Sequence, residues 1–305
     1  MQTLGLDIGG TRTKGAILDD GRVVWRATSP DYDQPTTEAL ADSIRSMLAP
    51  IAGRQVRVGL CLPGVYDKDA GSLSASVNLP FMVGVRLTDF LSTAAPELAP
   101  SGVFTDAHAA ALDFAVEHGV KGRLLAVSLG TGVGLSVLDD TVPLRVSAPG
   151  LGLSSGHLGQ IDVSAAVDGP APIGRDGGRG SLEAYIGAPA LRSRLGDNLH
   201  AALPRVKDSD PSVRALVRAL RIAHALYRPQ VVALLGGVAL GIAHLRHDIA
   251  ALVADGLTNL ARPGWQLHRH GGAAARGALD PDRAAVAVHD PLGDGQAQAG
   301  AAHLS

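Results

Sequence analysis

Aromatic residues are scarce in this chain: Phe, Trp and Tyr together make up 3% of its 305 residues. The core must therefore be assembled from Ala, Val, Leu and Ile, and there is no aromatic platform on which single-stranded nucleic acid could stack. Cysteine is nearly absent. Cys61 stands alone, which excludes an internal disulfide and a Cys-x-x-Cys pair for zinc. Within the apolar run Val58-Gly59-Leu60-Cys61-Leu62 it reads as a small buried hydrophobe. Excess positive charge is missing too: the formal net charge is -2, which excludes a globally basic surface and argues against a nucleic-acid partner. No run of about 18 apolar residues is present to span a bilayer. The first residues hold no basic stretch leading into an apolar segment, so a cytoplasmic protein without a membrane partner is expected.

What is present suits a sizeable buried core, with 46% hydrophobic and 18% charged residues. The spacing predicts strands at 3–8, 13–18 and 22–28, with Asp20-Gly21 as a hairpin signal. A helix follows over 37–52, then a strand over 56–62 ending at Pro63-Gly64. A short strand at 102–105 runs into a helix at 107–118. Residues 149–187, rich in Gly, Pro and Ser, read as mostly loop. A helix at 212–227, a strand at 231–235, a helix at 240–260, a strand at 284–289 and a helix at 297–304 complete the pattern. Alternating strands and helices with glycine pairs at strand ends indicate an α/β class with sites at the strand termini.

One internal match stands out. At an ungapped offset of 120, Leu4, Gly10, Thr11, Leu18, Asp19 and Asp20 correspond to Leu124, Gly130, Thr131, Leu138, Asp139 and Asp140. If this is a duplication rather than convergence of two hairpins, each half carries a strand–Gly-Thr–strand unit, and the two loops can face each other across a cleft.

The loop Asp7-Ile8-Gly9-Gly10-Thr11 has the makings of a phosphate site. Two glycines let backbone N–H groups approach anionic oxygens, Lys14 adds positive charge, and the Asp7 carboxylate can hold Mg²⁺ directly or through its waters. The same residues also suit an ordinary hairpin turn. Gly130-Thr131-Gly132 repeats the small residues and the hydroxyl but not the acid, since Val127 stands where Asp7 does. Gly236-Gly237 after a buried strand would let a nucleoside approach the backbone, or would simply make a tight strand-to-helix turn. Two weaker features read as structural: Asp208-Ser209-Asp210-Pro211 as a helix start, and His268-x-His270 as surface histidines.

Taken in order, the first loop, Leu62-Pro63-Gly64, Asn78-Leu79-Pro80, Thr105-Asp106-Ala107-His108-Ala109-Ala110, Gly130–Gly134, Ser155-Gly156-His157 and Leu235-Gly236-Gly237 resemble the ROK-family sugar kinases over essentially the whole chain. The resemblance implies a two-domain, actin-like and ribonuclease-H-like α/β fold with ATP and sugar in an interdomain cleft. It places one domain at 1–116 plus 293–305 and the other at 117–292. It implies Asp106 as the catalytic base, although a residue immediately before a helix is also a natural N-cap. It implies Gly9, Gly10, Thr11, Lys14, Gly130, Thr131 and Gly132 at the ATP phosphates, and Gly236 and Gly237 at the nucleoside. Asp7 would serve Mg²⁺ through water. Gly64, Asn78, Thr105, Asp106, His157 and Glu183 would bind the sugar, whose hydroxyls both donate and accept. A homodimer is implied as well.

Three departures qualify the resemblance. The family's Asn before the catalytic Asp is Thr105, and its Glu three residues before the His is Ser154. Its cysteine-rich zinc segment reads Gly174-Arg175-Asp176-Gly177-Gly178-Arg179-Gly180-Ser181, so no zinc site is expected. The expected activity is transfer of the ATP γ-phosphate to a hydroxyl of a hexose or hexose-like sugar, most simply a primary one. A non-catalytic sugar sensor is the alternative; a repressor is disfavoured because six residues precede Asp7, and a carboxylate kinase or plain ATPase because of the ordered sugar motifs.

Overall fold

The computed structural model describes residues 2–76, 78–96, 98, 100–148, 151–174, 177–257 and 285–289. Two compact units emerge, one from Met1–Asp113 with Arg145–Ser154 and the other from Phe114–Leu144 with Ser155–Pro291. The 293–305 stretch and the helix expected at 297–304 lie outside the described residues, as do His268 and His270.

The first unit opens with an antiparallel meander, β1 (Thr3–Ile8), β2 (Thr13–Asp19) and β3 (Arg22–Thr28). Strands β4 (Arg57–Leu62) and, further on, β7 (Pro100–Thr105) extend it in parallel, giving the order β3-β2-β1-β4-β7. Central β1 has Leu4, Leu6 and Ile8 fully buried, as a strand flanked on both sides must. Helix α1 (Thr37–Leu48) starts where the Thr36 hydroxyl accepts from Ala39 N at 3.2 Å. Its buried Leu40, Ala41, Ile44, Met47 and Leu48 recur at helical spacing and join the core formed by β1 and β4. Pro50 then turns the chain into a short 3₁₀ segment rather than the full helix expected to 52. Between β4 and β7 lie the small hairpin β5 (Val65–Asp67) and β6 (Ser72–Ala75) and helix α2 (Leu87–Ala94). Helix α3 (Asp106–Glu117) begins at the residue following β7.

The second unit repeats this plan. β8 (Arg123–Leu129), β9 (Val133–Asp139) and β10 (Val142–Pro143) form the meander. The chain then returns to the first unit for β11 (Val146–Ala148) and β12 (Leu151–Ser154), an antiparallel pair of which β12 lies beside β5. Back in the second unit come α4 (Leu182–Ile186), α5 (Ala188–Leu195), α6 (Leu199–Ala202), α7 (Pro211–Tyr227), β13 (Val231–Leu235), α8 (Gly237–Gly241), α9 (Arg246–Asp255) and β14 (Ala285–His289). Strands β13 and β14 run parallel to β8, so the order is β10-β9-β8-β13-β14 with the same pattern of directions as the first sheet.

The match at offset 120 is therefore architectural. Both meanders turn through two left-handed residues, Asp20 and Gly21 (φ 46° and 75°) and Asp140 and Thr141 (φ 45° and 72°), the turn that suits the twist of a hairpin. Each sheet has the ribonuclease-H-like order. The helix expected over 240–260 is instead two helices separated by a 3₁₀ turn at Ala243–Leu245. Residues 149–187, expected as mostly loop, contain β12 and α4. Asp210 does start α7, its Oδ1 accepting from Ser212 N at 2.9 Å.

Candidate active site

In the first unit the site grows from the ends of β1, β4 and β7, where an α/β sheet presents its loops. Sheet register sets Asp7 of β1 opposite Lys14 of β2 and beside Cys61 of β4. Gly9 N donates to Arg12 O at 3.1 Å, closing the turn between β1 and β2. A Cβ on Gly10 would stand 3.0 Å from Asn78 O and 3.1 Å from Asn78 Cβ. A side chain at position 10 would push Asn78 away by a few tenths of an ångström.

Pro63-Gly64 is held near the same place. Gly64 has φ 128°, and a Cβ there would meet Ala75 O at 2.3 Å, so no other residue fits. The Ser76 hydroxyl donates to Pro63 O at 2.7 Å and accepts from Leu79 N at 3.0 Å. Ser76 thus ties the Pro-Gly turn to the Asn78-Leu79 turn.

Asp106 is the first residue of α3, and its Oδ1 accepts from Ala107 N at 2.8 Å. Burial pushes its carboxyl above the ordinary carboxylate range, against the pull of the Ala107 and Asp106 backbone N–H groups. Asp7 is raised to about 6, chiefly by burial; Lys14 lowers it, the Asp106 charge raises it again and the Cys61 thiol lowers it. The charge of Asp106, 99 positions away in sequence, therefore reaches Asp7. Cys61 itself is buried and its thiol stays protonated, raised by burial and by both carboxylates.

Thr105 does something its sequence position did not announce. Its hydroxyl accepts from His108 N at 3.2 Å, capping α3, and shares a 2.9 Å hydrogen bond with His108 Nδ1. His108 is buried, and its Nε2 has no hydrogen-bond partner among the described residues. Burial first, and the Arg145 charge second, push this imidazole down to about 4, so it is neutral at physiological pH. The motif suggested Thr105 as a sugar ligand; here its hydroxyl is engaged with His108.

In the second unit the loop Gly130-Thr131-Gly132 joins β8 to β9, closed by Gly130 N donating to Gly132 O at 3.0 Å. Ala188 N, at the start of α5, donates to Gly130 O at 2.8 Å. Gly236, with φ 91°, approaches Leu129 so closely that a Cβ would lie 2.6 Å from Leu129 O. The Gly236-Gly237 turn is thereby packed against the entrance of the loop. Glu183, expected among the sugar ligands, reaches the exit of the same loop: its Oε2 accepts from Val133 N at 3.1 Å and would stand 2.7 Å from a Cβ on Gly132. Thr131 and Glu183 line one cavity of about 460 Å³ together with Tyr185, Pro189 and Arg194. His157 is exposed, following a turn held by Tyr227 Oη donating to Ser155 O at 2.7 Å.

Among the described residues no three His, Cys, Asp or Glu side chains gather as a metal site. Gly174 N donates to Gly178 O at 2.8 Å and Gly177 N to Gly174 O at 3.0 Å, and the Ser181 hydroxyl caps α4. For a divalent cation the fitting donor is Asp7. It is a carboxylate within the field of a second one, with Lys14 as the cation drawing its pKa down, and added positive charge there would favour its ionised form.

A sequence model of the ROK family matches residues 3–279. The kanosamine kinase of Amycolatopsis mediterranei is 28% identical over an alignment covering 93% of this chain and 95% of that one. A ROK family glucokinase from Streptomyces griseus, solved with glucose and AMPPNP, aligns with a TM-score of 0.65 at 22% identity over 99% of both chains. A ROK family transcriptional regulator, a homologue of the E. coli MLC protein, aligns with a TM-score of 0.73 at 17% identity, over 99% of this chain and 78% of that one. At such identities these structures share the fold; that fold serves a kinase in one and a regulator in the other.

Proposed function

The chain belongs to the ROK family, and from that membership we propose that it transfers the γ-phosphate of ATP to a hydroxyl of a hexose or hexose-like sugar. The observation that carries this reading is the Asp7–Asp106 pair beside the Gly9-Gly10-Thr11 turn, with Asn78 packed on Gly10. Phosphoryl transfer needs a base for the attacking hydroxyl and charge control at the phosphates. A sensor needs neither.

Asp106 accepts the hydroxyl proton. Its raised pKa makes it a better base than a solvated carboxylate, and the Ala107 N–H fixes its orientation. Gly9, Gly10, Thr11 and Lys14 receive the phosphates in the first unit. In the second unit Gly130, Thr131 and Gly132 are assigned to ATP phosphate as well, and Gly236 and Gly237 to the nucleoside. Asp7 would hold Mg²⁺, directly or through water, and the ion when bound neutralises phosphate charge. Gly64, Asn78, His157 and Glu183 offer the backbone, amide, imidazole and carboxylate groups that a polyol requires. Kinases of kanosamine and of glucose among its relatives and structural neighbours make a hexose or an amino sugar the substrate class to test first. Magnesium dependence, a homodimer and a cytoplasmic location belong to the same reading.

The engagement of Thr105 by His108 favours a second reading, a sugar sensor with one ligand fewer. ADP release with Mg-ATP over a panel of neutral, amino and N-acyl hexoses separates the two. Turnover with at least one sugar supports the kinase; binding without turnover for every sugar replaces it with the sensor.

A further inference from the structure

The segment following β3 does more than connect it to α1. It lies along the first loop and takes up three alternate carbonyl groups: Tyr32 Oη donates to Gly9 O at 2.7 Å, Tyr32 N to Thr11 O at 2.7 Å, and Ser29 N to Thr13 O at 2.8 Å. The Tyr32 hydroxyl also shares a 3.1 Å hydrogen bond with Thr13 Oγ1, and the Ser29 hydroxyl accepts from Thr13 N at 2.9 Å. Arg12 and Asp31 add an exposed ion pair at 2.8 Å. The side chain of Tyr32 is the member of this strap that reaches back to Gly9, two residues from Asp7.

A loop that receives an anion must present N–H groups and keep its carbonyl oxygens away, because a carbonyl dipole turned inward repels a phosphate. Flexible glycines do not settle that choice by themselves. We propose that Tyr32 is a positioning residue for nucleotide phosphate: its hydroxyl holds the Gly9 carbonyl out of the loop and so fixes the Gly9–Gly10 peptide with the Gly10 N–H as the donor, the Gly9 N–H being already committed to Arg12 O. The inference rests on the reading of this loop as the phosphate site. Burial, the larger cause, and the nearby Asp7 charge keep the phenol protonated, while the Thr13 hydrogen bond acts the other way; Tyr32 is a donor throughout the neutral range.

The test is Tyr32→Phe, which keeps the ring packed in the first core and removes only the hydroxyl. Ser29→Ala serves as comparator, since it loosens the same strap at Thr13, beyond the phosphate turn. ADP affinity, measured by titration calorimetry without sugar, is expected to weaken about tenfold in Tyr32→Phe, the scale of a lost hydrogen bond with its acceptor left unpaired. The KM for Mg-ATP should rise by a similar factor while the KM for sugar stays within twofold. Ser29→Ala should lower the melting temperature yet leave ADP affinity within twofold. Tyr32→Phe with wild-type ADP affinity, or Ser29→Ala weakening it equally, overturns the proposal and leaves a structural strap. A wild-type protein that binds no nucleotide overturns the functional reading and this one with it.

Discussion

Replacing Asp7 by Asn should make the ligand-free protein more stable while abolishing the proposed magnesium-dependent activity. The Asp7 carboxyl is raised from 3.8 to about 6. A raised acid binds its proton more tightly folded than unfolded, so its ionisation opposes folding. Below about pH 4 both states are protonated and Asp7 contributes nothing; as pH rises from 4 to 6 the folded state loses stability, and above 6 the loss is complete. A shift of about two units corresponds to about 3 kcal/mol, which partial solvent access to the carboxylate reduces to about 1–3 kcal/mol. The net shift already includes the attraction of Lys14. Urea unfolding of wild type and Asp7→Asn at pH 4, 5, 6 and 7 measures the difference. Trp25, packed against the first core, reports on that unit once the only other tryptophan, Trp265, is changed to Phe. The difference should be near zero at pH 4 and grow to its full value by pH 7. An Asp7→Asn protein less stable than wild type at pH 7, or an advantage that does not vary with pH, would refute the electrostatic account.

Asp106→Asn should lower turnover by about 10²–10⁴-fold and leave ADP affinity within a few-fold; near-normal turnover would remove Asp106 from its role. Gly64→Ala should destabilise the first unit by about 2 kcal/mol or more, since its Cβ would lie 2.3 Å from Ala75 O at φ 128°, and a urea midpoint equal to wild type would contradict that geometry. Thr141→Gly should stabilise the second unit by about 0.5–1 kcal/mol, seen as a higher urea midpoint, because a β-branched residue there occupies φ 72° where the first meander has Gly21.

The strands were legible because an apolar run closed by a turn signal is a local one: β1, β8 and β13 end at glycine, β2 and β9 at Asp-Asp, and β3 at Ser29-Pro30. Helices α2 and α5 were not. Neither Arg86 nor Gly187 supplies a side-chain cap, and α5 places Pro189 and two arginines in a single eight-residue stretch. The return of 145–154 to the first unit left no mark in composition. In the site, the glycine turns could be found from residue type alone, since each serves a backbone approach. The Asp7–Asp106 field and the hydroxyl of Tyr32 on Gly9 could not, because each depends on groups distant in sequence meeting in the fold. Thr-x-x-His at a helix start offered the one missed local clue, a hydroxyl able to cap the third residue beyond it.

The two sheets share an order but carry different loads. Where β1 holds Asp7 opposite Lys14, β8 holds Val127 opposite Leu135, with Val127 fully buried. An acid at 127 would enter the apolar core of its unit with no lysine facing it. A chain built on two similar halves can thus confine its electrostatic frustration to one copy and let the other fold as an undisturbed hydrophobic sheet. The half that carries the carboxylate loses stability as that group ionises, and the half with Val127 has no such group at that position.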